Sequence, residues 1–235
     1  MSQEYKIIFQ NNASAGGNVC VYQTAPTGWD SVSWFVKGTN PGTGATFDWT
    51  IDYGFQWTES GTLVPGVQFE AQGLVSAELQ SNNKIEFAQN EYGGQFINQT
   101  NGTSGSLEID INPQVPDQTY STGVTMSGNG AFMQAAHPNT AQTFTPHPEY
   151  WITFGDIKES AVMTSAWMTA AAAVSFPANV YTMYVTLNAD YTWTVSQFNS
   201  SELTAHTSRM KLREVSQLSA RELDEHTSVA KLRKA

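Results

Sequence analysis

The chain has 235 residues, of which 40% are hydrophobic, 12% aromatic and only 14% charged; this excludes a disordered protein and leaves a surface of Thr, Ser, Asn and Gln. A formal charge of −10 excludes the clustered basic face that nucleic acid requires. No stretch approaches the roughly twenty apolar residues of a membrane span, and the opening MSQEYKIIFQNN is no secretory signal. Cytoplasmic synthesis is expected, with any release by a leaderless route.

All 18 Gly and all nine Pro fall before residue 200, between runs rich in Val, Ile, Thr and aromatics, which is the punctuation of strands and turns. Strands are expected at 5–10, 18–24 and 31–37. Cys20, the lone cysteine, falls in NVCVYQ and reads as a packing position. The clearest element is TFDWTIDYGFQWTES at 46–60. Phe47, Trp49, Ile51, Tyr53, Phe55 and Trp57 alternate with Asp48, Thr50, Asp52 and Gln56, which predicts one long strand with a buried face, bent or bulged at Gly54. Further strands are expected at 67–72, 84–88, 94–98, 106–111, 130–135 and 150–157. The Ala- and Met-rich stretch at 160–174 predicts a helix or compact crossover. From 180 to 198, two alternating runs flank a turn at Asn188-Ala189-Asp190. Residues 1–198 therefore read as an all-β body, a β-sandwich with Greek-key-like connections.

Several stretches resemble the RhiA-like family of bacterial proteins, the rhizosphere-expressed group. They are NVCVYQT, SWFVKGTNPGTGATFDWTIDYGFQWTESGTLVPGV, VTMSGNGAF, TFTPHPEYWITFG and FPANVYTMYVTLNADYTWTV. The resemblance runs from about residue 3 to 198. It implies abundant, regulated, leaderless bacterial proteins and brings no catalytic residues with it.

Candidate chemistry in the body is sparse. Asp48 and Asp52 share a strand face, but four residues of strand put their α-carbons roughly 13 Å apart. Paired-carboxylate glycosidases need about 5–9.5 Å, so a solvated face is expected. His137 and His147, each followed by Pro, lack the spacing of a zinc site and read as loop residues; no metal is expected. No nucleophile elbow, phosphate loop or dinucleotide fingerprint occurs, so no enzyme activity and no cofactor are expected. Trp29 and Trp167 break the core alternation and are the candidate ligand-binding aromatics of a carbohydrate-binding sandwich.

The most specific signal lies at the end. Residues 199–235 have helix composition and carry a motif twice, at 202–213 and 222–233. Glu202, Leu203, His206, Thr207, Ser208, Lys211, Leu212 and Arg213 recur as Glu222, Leu223, His226, Thr227, Ser228, Lys231, Leu232 and Arg233. Two copies are too few for a solenoid, so a repeated docking element is expected, strengthened by effective concentration. Ser201 is placed as a helix cap, with Leu203, His206 or Thr207, and Met210 as the stripe of one short amphipathic face. Twenty residues rotate a continuous helix by about 200°, so two short helices, or one helix gripped on opposite sides, are expected. Charge points to a partner. Residues 1–200 hold four Lys against 16 acids, a net −12, whereas residues 201–235 hold seven basic residues against five acids, a net +2. A non-enzymatic protein that assembles with itself through Glu202, Leu203, His206, Met210, Leu212, Arg213 and their counterparts is the leading expectation. The alternative is that the tail recruits the body into a particle made of another protein.

Overall fold

Runs of β-branched and aromatic residues, broken by Gly, Pro and Asn, give seventeen strands among the described residues of this computed structural model, which describes residues 3–199 and 201–211. First come β1 (Glu4–Asn11), β2 (Gly17–Gln23), β3 (Asp30–Ser31), β4 (Phe35–Thr39), β5 (Gly44–Thr50) and β6 (Tyr53–Thr58). Then follow β7 (Gln72–Ala77), β8 (Lys84–Asn90), β9 (Gly93–Thr100), β10 (Leu107–Ile111), β11 (Ser121–Met126), β12 (Asn129–Ala135) and β13 (Ala141–Phe144). The body ends with β14 (Tyr150–Gly155), the short helix α1 (Ser165–Thr169), β15 (Ala172–Val174), β16 (Thr182–Leu187) and β17 (Trp193–Ser196). A second helix, α2, spans 201–211. No described helix is long and apolar enough to cross a membrane.

The strands form four sheets, ordered β17-β16-β1-β5, β13-β10-β8-β9, β3-β12-β11-β6-β7 and β15-β14-β2-β4. Neighbours far apart in sequence make this a sandwich of crossovers. β1 lies parallel to β16, so Ile7 sits opposite Met183 and Phe9 opposite Val185. β8 is parallel to β10, and β14 is antiparallel to β2. All four sheets feed one hydrophobic core, with Ile7, Val21, Phe55, Phe87, Ile109 and Ile152 among its fully buried members. A satellite cluster joins Cys20, Tyr22, Ile157 and Met163, and another joins Val32, Phe69, Met133 and Val162.

The 46–60 run departs from the single strand that its alternation predicts. It splits into β5 and β6, which belong to different sheets. Ile51 between them is 39% exposed. The turn is held by the Thr50 hydroxyl donating to the Asp52 carboxylate, and by the Ser127 N–H donating to the Asp52 carbonyl at 2.9 Å. Asp48 and Asp52 therefore do not share a strand. Past the break the alternation ends, since Gly54, Phe55, Gln56 and Trp57 are all buried. The β6–β7 register shifts between Phe55 and Trp57, one residue past Gly54. A Cβ on Gly54 would lie 2.8 Å from the Val75 carbonyl oxygen and 2.7 Å from the Thr125 hydroxyl, so glycine is what lets β6 sit between β7 and β11.

Other boundaries move for local reasons. The expected 31–37 strand divides at Trp34, whose fully buried indole N–H donates to the Met126 carbonyl at 2.8 Å. The expected strand at 67–72 is instead β7, beginning at Gln72. Within 160–174 only five residues are helical, and the chain then pairs as β15 against β14. In the 188–192 turn the left-handed residue is Tyr191, at φ 63°, while the Asp190 carboxylate caps the turn by accepting from the Thr192 N–H and hydroxyl.

Cys20 takes the packing position expected of it, fully buried in β2. Burial pushes its thiol pKa well up, and the Glu159 charge adds to this, against a small opposing hydrogen bond from the Trp34 backbone. The thiolate is the reactive form, so a thiol reagent at pH 8 should leave native protein unmodified and label one thiol per chain in guanidinium. Fast labelling of the native protein would contradict this burial.

Candidate functional site

The body, Met1–Val195, and the tail, Ser196–Ala235, are separate compact units. The tail begins with a short capping sequence. The Ser196 hydroxyl accepts from the Phe198 N–H at 2.9 Å. The Asn199 side-chain oxygen then accepts from the Glu202 N–H at 2.9 Å, and the Glu202 carboxylate accepts from the Asn199 N–H at 3.2 Å. This reciprocal pair is a capping box, so Asn199, not Ser201, caps α2. Such a cap is worth about 1 kcal/mol to a helix this short.

The cap reassigns two of the expected contact residues. Glu202 is occupied by the cap, and the His206 ring stacks on Phe198 with centroids 4.9 Å apart. Leu203 is half-buried and Met210 is 54% exposed, so the predicted stripe faces outward at its far end. Leu212, Arg213, Glu222, Leu223, His226, Leu232 and Arg233 lie outside the described residues.

The cap also shows that the repeat is longer than the docking motif. Val195, Ser196 and Gln197 recur as Val215, Ser216 and Gln217; Phe198 is answered by Leu218 and Asn199 by Ser219, another capping residue type, three residues before Glu222. The repeated unit is therefore twenty residues, 195–214 and 215–234, with a capping residue type at the same position in each. It starts within one residue of the boundary between the two units. Sequence reading missed this because Val195-Ser196-Gln197 also ends a strand.

The body carries an open cleft of about 570 Å³. β1 supplies Tyr5, the β5–β6 break supplies Ile51, the approach to β14 supplies Pro148 and Glu149, and β15 with the following loop supplies Ala173 and Phe176. Its floor is aromatic. Tyr5 meets Phe176 edge-on at 5.2 Å, Phe176 meets Tyr150 at 5.6 Å, and Trp49 packs 4.9 Å from Tyr150. The rings touch one another, so they form a floor and not a cage. The Tyr150 hydroxyl and the Trp49 indole N–H are both buried without a hydrogen-bond partner. Burial raises the Tyr150 pKa, partly offset by the nearby Trp49 indole, which lies close but lacks hydrogen-bond geometry. Burial, with Tyr150 adding, also raises that of Tyr53. No Lys or Arg lines the cleft.

Trp29 and Trp167 are not brought together and do not line this cleft. Trp29 packs edge-on against Phe144 at 5.7 Å and donates its indole N–H to the Thr143 carbonyl. Trp167 packs against the Cys20 cluster, and its carbonyl accepts from the Thr153 hydroxyl at 2.9 Å. His137 pairs with Asp117 at 2.7 Å, and His147 lies 3.8 Å from Glu149. Among the described residues no three His, Cys, Asp or Glu side chains gather.

Comparison with known proteins agrees with the division between body and tail. No solved structure matches the chain. It is 29% identical over 199 residues to Protein RhiA of Rhizobium leguminosarum bv. viciae, an alignment covering 82% of this chain and 86% of that protein. The RhiA family profile matches residues 2–198, ending one residue before the Asn199 cap. The chain belongs to the RhiA family, with the greater part of the duplicated tail lying beyond the family's match.

Proposed function

We propose that the protein is a non-enzymatic, self-assembling structural protein whose duplicated tail docks on neighbouring copies. The observation that carries this reading is the repeat of a twenty-residue sequence unit, of which the first copy forms a capped helix with Leu203 half-buried and Met210 exposed. A helix of eleven residues is marginal on its own, so a sequence that repeats a capping residue type ahead of the motif, Asn199 and then Ser219, suits a segment that becomes helical when bound. Burying one Leu contributes about 1.5–3 kcal/mol, which is weak for one copy and useful for two on one tether. The acidic body and basic tail attract each other between chains.

Light scattering on the full chain and on a chain ending at Asn199 tests this reading. Only the full chain is expected to assemble, and a synthetic 201–235 peptide is expected to dissolve the assembly. Equal assembly of both would refute it.

A second reading is favoured by the family match ending at residue 198: the tail directs a family body into a particle built of another protein. Fusing residues 195–235 to an unrelated soluble protein would then carry that protein into the particle. A carbohydrate-binding reading would rest on Trp29 and Trp167, both half-buried and packed on different clusters, or on the cleft floor.

A further inference from the structure

We infer that the aromatic cleft is the socket for the tail, occupied by the α2 segment of a second copy of this chain. The inference rests on the self-assembly reading and adds its receiving surface. The tail's stripe, Leu203 to Met210 with Lys211 beside it, needs a concave apolar surface with a carboxylate at its rim and no cation. The cleft has these features. Ile51 at its mouth is a large apolar side chain left exposed by the break between β5 and β6. Glu149 is a half-exposed carboxylate whose only ion-pair partner among the described residues is His147, at 3.8 Å. The volume of about 570 Å³ lies within the roughly 300–1,000 Å³ of pockets that take several side chains or a small ligand.

Three other concavities among the described residues fit less well. A pocket of about 160 Å³ beside Phe132 and Phe144 is too small for a helix face. A cleft of about 360 Å³ at Glu86 and Asp110 is polar and already satisfied: Glu86 accepts from Asn98 and Asn112, and Asp110 pairs with Lys84 at 2.7 Å. A pocket of about 30 Å³ lies by Val64 and Val67, with no room for a side chain. One cleft and two motif copies per chain give a tail that bridges two neighbours.

Ala173 is exposed on the cleft wall in the terminal strand β15, so Ala173→Arg fills the cleft and repels the basic tail without entering the core. Gln114→Arg adds the same charge at an exposed site away from the cleft lining. In full-length protein, sedimentation equilibrium should show Ala173→Arg weakening self-association by at least about 30-fold, with Gln114→Arg within about twofold of the parent. Ile51→Arg, also at an exposed site, repeats the test should Ala173→Arg alter the far-ultraviolet circular dichroism spectrum. A photo-cross-linker replacing Met210, with mixed light and heavy chains, should form inter-chain links to peptides holding 148–151 or 173–176. Unchanged association in the cleft variants, or inter-chain links confined elsewhere, would overturn the socket while leaving self-assembly standing if removal of the tail still abolishes it. A parent protein that stays monomeric would overturn both, and binding of a small ligand in the cleft without any tail cross-link would overturn the socket alone.

Discussion

Trp34→Ala is expected to lower the stability of the body by about 3–5 kcal/mol, a large share of the roughly 5–15 kcal/mol available to a folded domain. Trp34 is fully buried where the β15-β14-β2-β4 sheet meets the sheet holding β11. Its ring lies 4.2 Å from Phe35, 5.3 Å from Trp49 and 6.2 Å from Tyr150, so removing it opens a cavity bounded by aromatic rings. The indole N–H also satisfies the Met126 carbonyl at 2.8 Å, and an orphaned buried carbonyl costs about 1–3 kcal/mol within that total. Guanidinium unfolding followed by circular dichroism measures the loss. A shift below about 1 kcal/mol would mean that the sheets do not depend on this contact. Because Tyr150 lies on both the Trp34 cluster and the cleft floor, the variant that survives folding should also associate more weakly.

A chain ending at Glu214, which keeps the first repeat and loses the second, is expected to need about 100-fold higher concentration for half-maximal light scattering. Tethering two weak sites multiplies affinity by about 10²–10⁴ when both can be engaged, and one site has no such gain. The shortened chain keeps Asn199, Glu202, Leu203 and Met210, so its remaining helix and cap are intact. The loss therefore reports valency and not misfolding. An unchanged midpoint would mean that the second copy does not dock.

How far the sequence revealed this molecule depends on what each segment buries. Strands 84–88, 94–98 and 106–111 were placed to within two residues by β8, β9 and β10 because hydrophobic positions recur along them. The 46–60 run misled for the opposite reason: alternation continues across the break, and nothing local says that Ile51 faces solvent. β11 was invisible, since Ser121 to Met126 is buried on both faces and relies on Gly123, where a side chain would overlap Met133 and the Phe132 carbonyl. The repeat was legible, but not its start, because Val195 to Gln197 serve both as a strand end and as the first residues of the unit. The cleft had no sequence signal. Its walls come from residues 5, 51, 148–151 and 173–176, which only the crossovers bring together.

Sedimentation velocity of the full-length protein, from low micromolar to several hundred micromolar at low salt, tests the central claim most directly. Low salt lengthens the reach of the attraction between the acidic body and the basic tail, so it favours the expected species. The account predicts a sedimentation coefficient that climbs with concentration and falls back to that of a 25.7 kDa monomer when excess 201–235 peptide is added. A single monomeric boundary at every concentration would contradict it and leave the tail to serve a different protein.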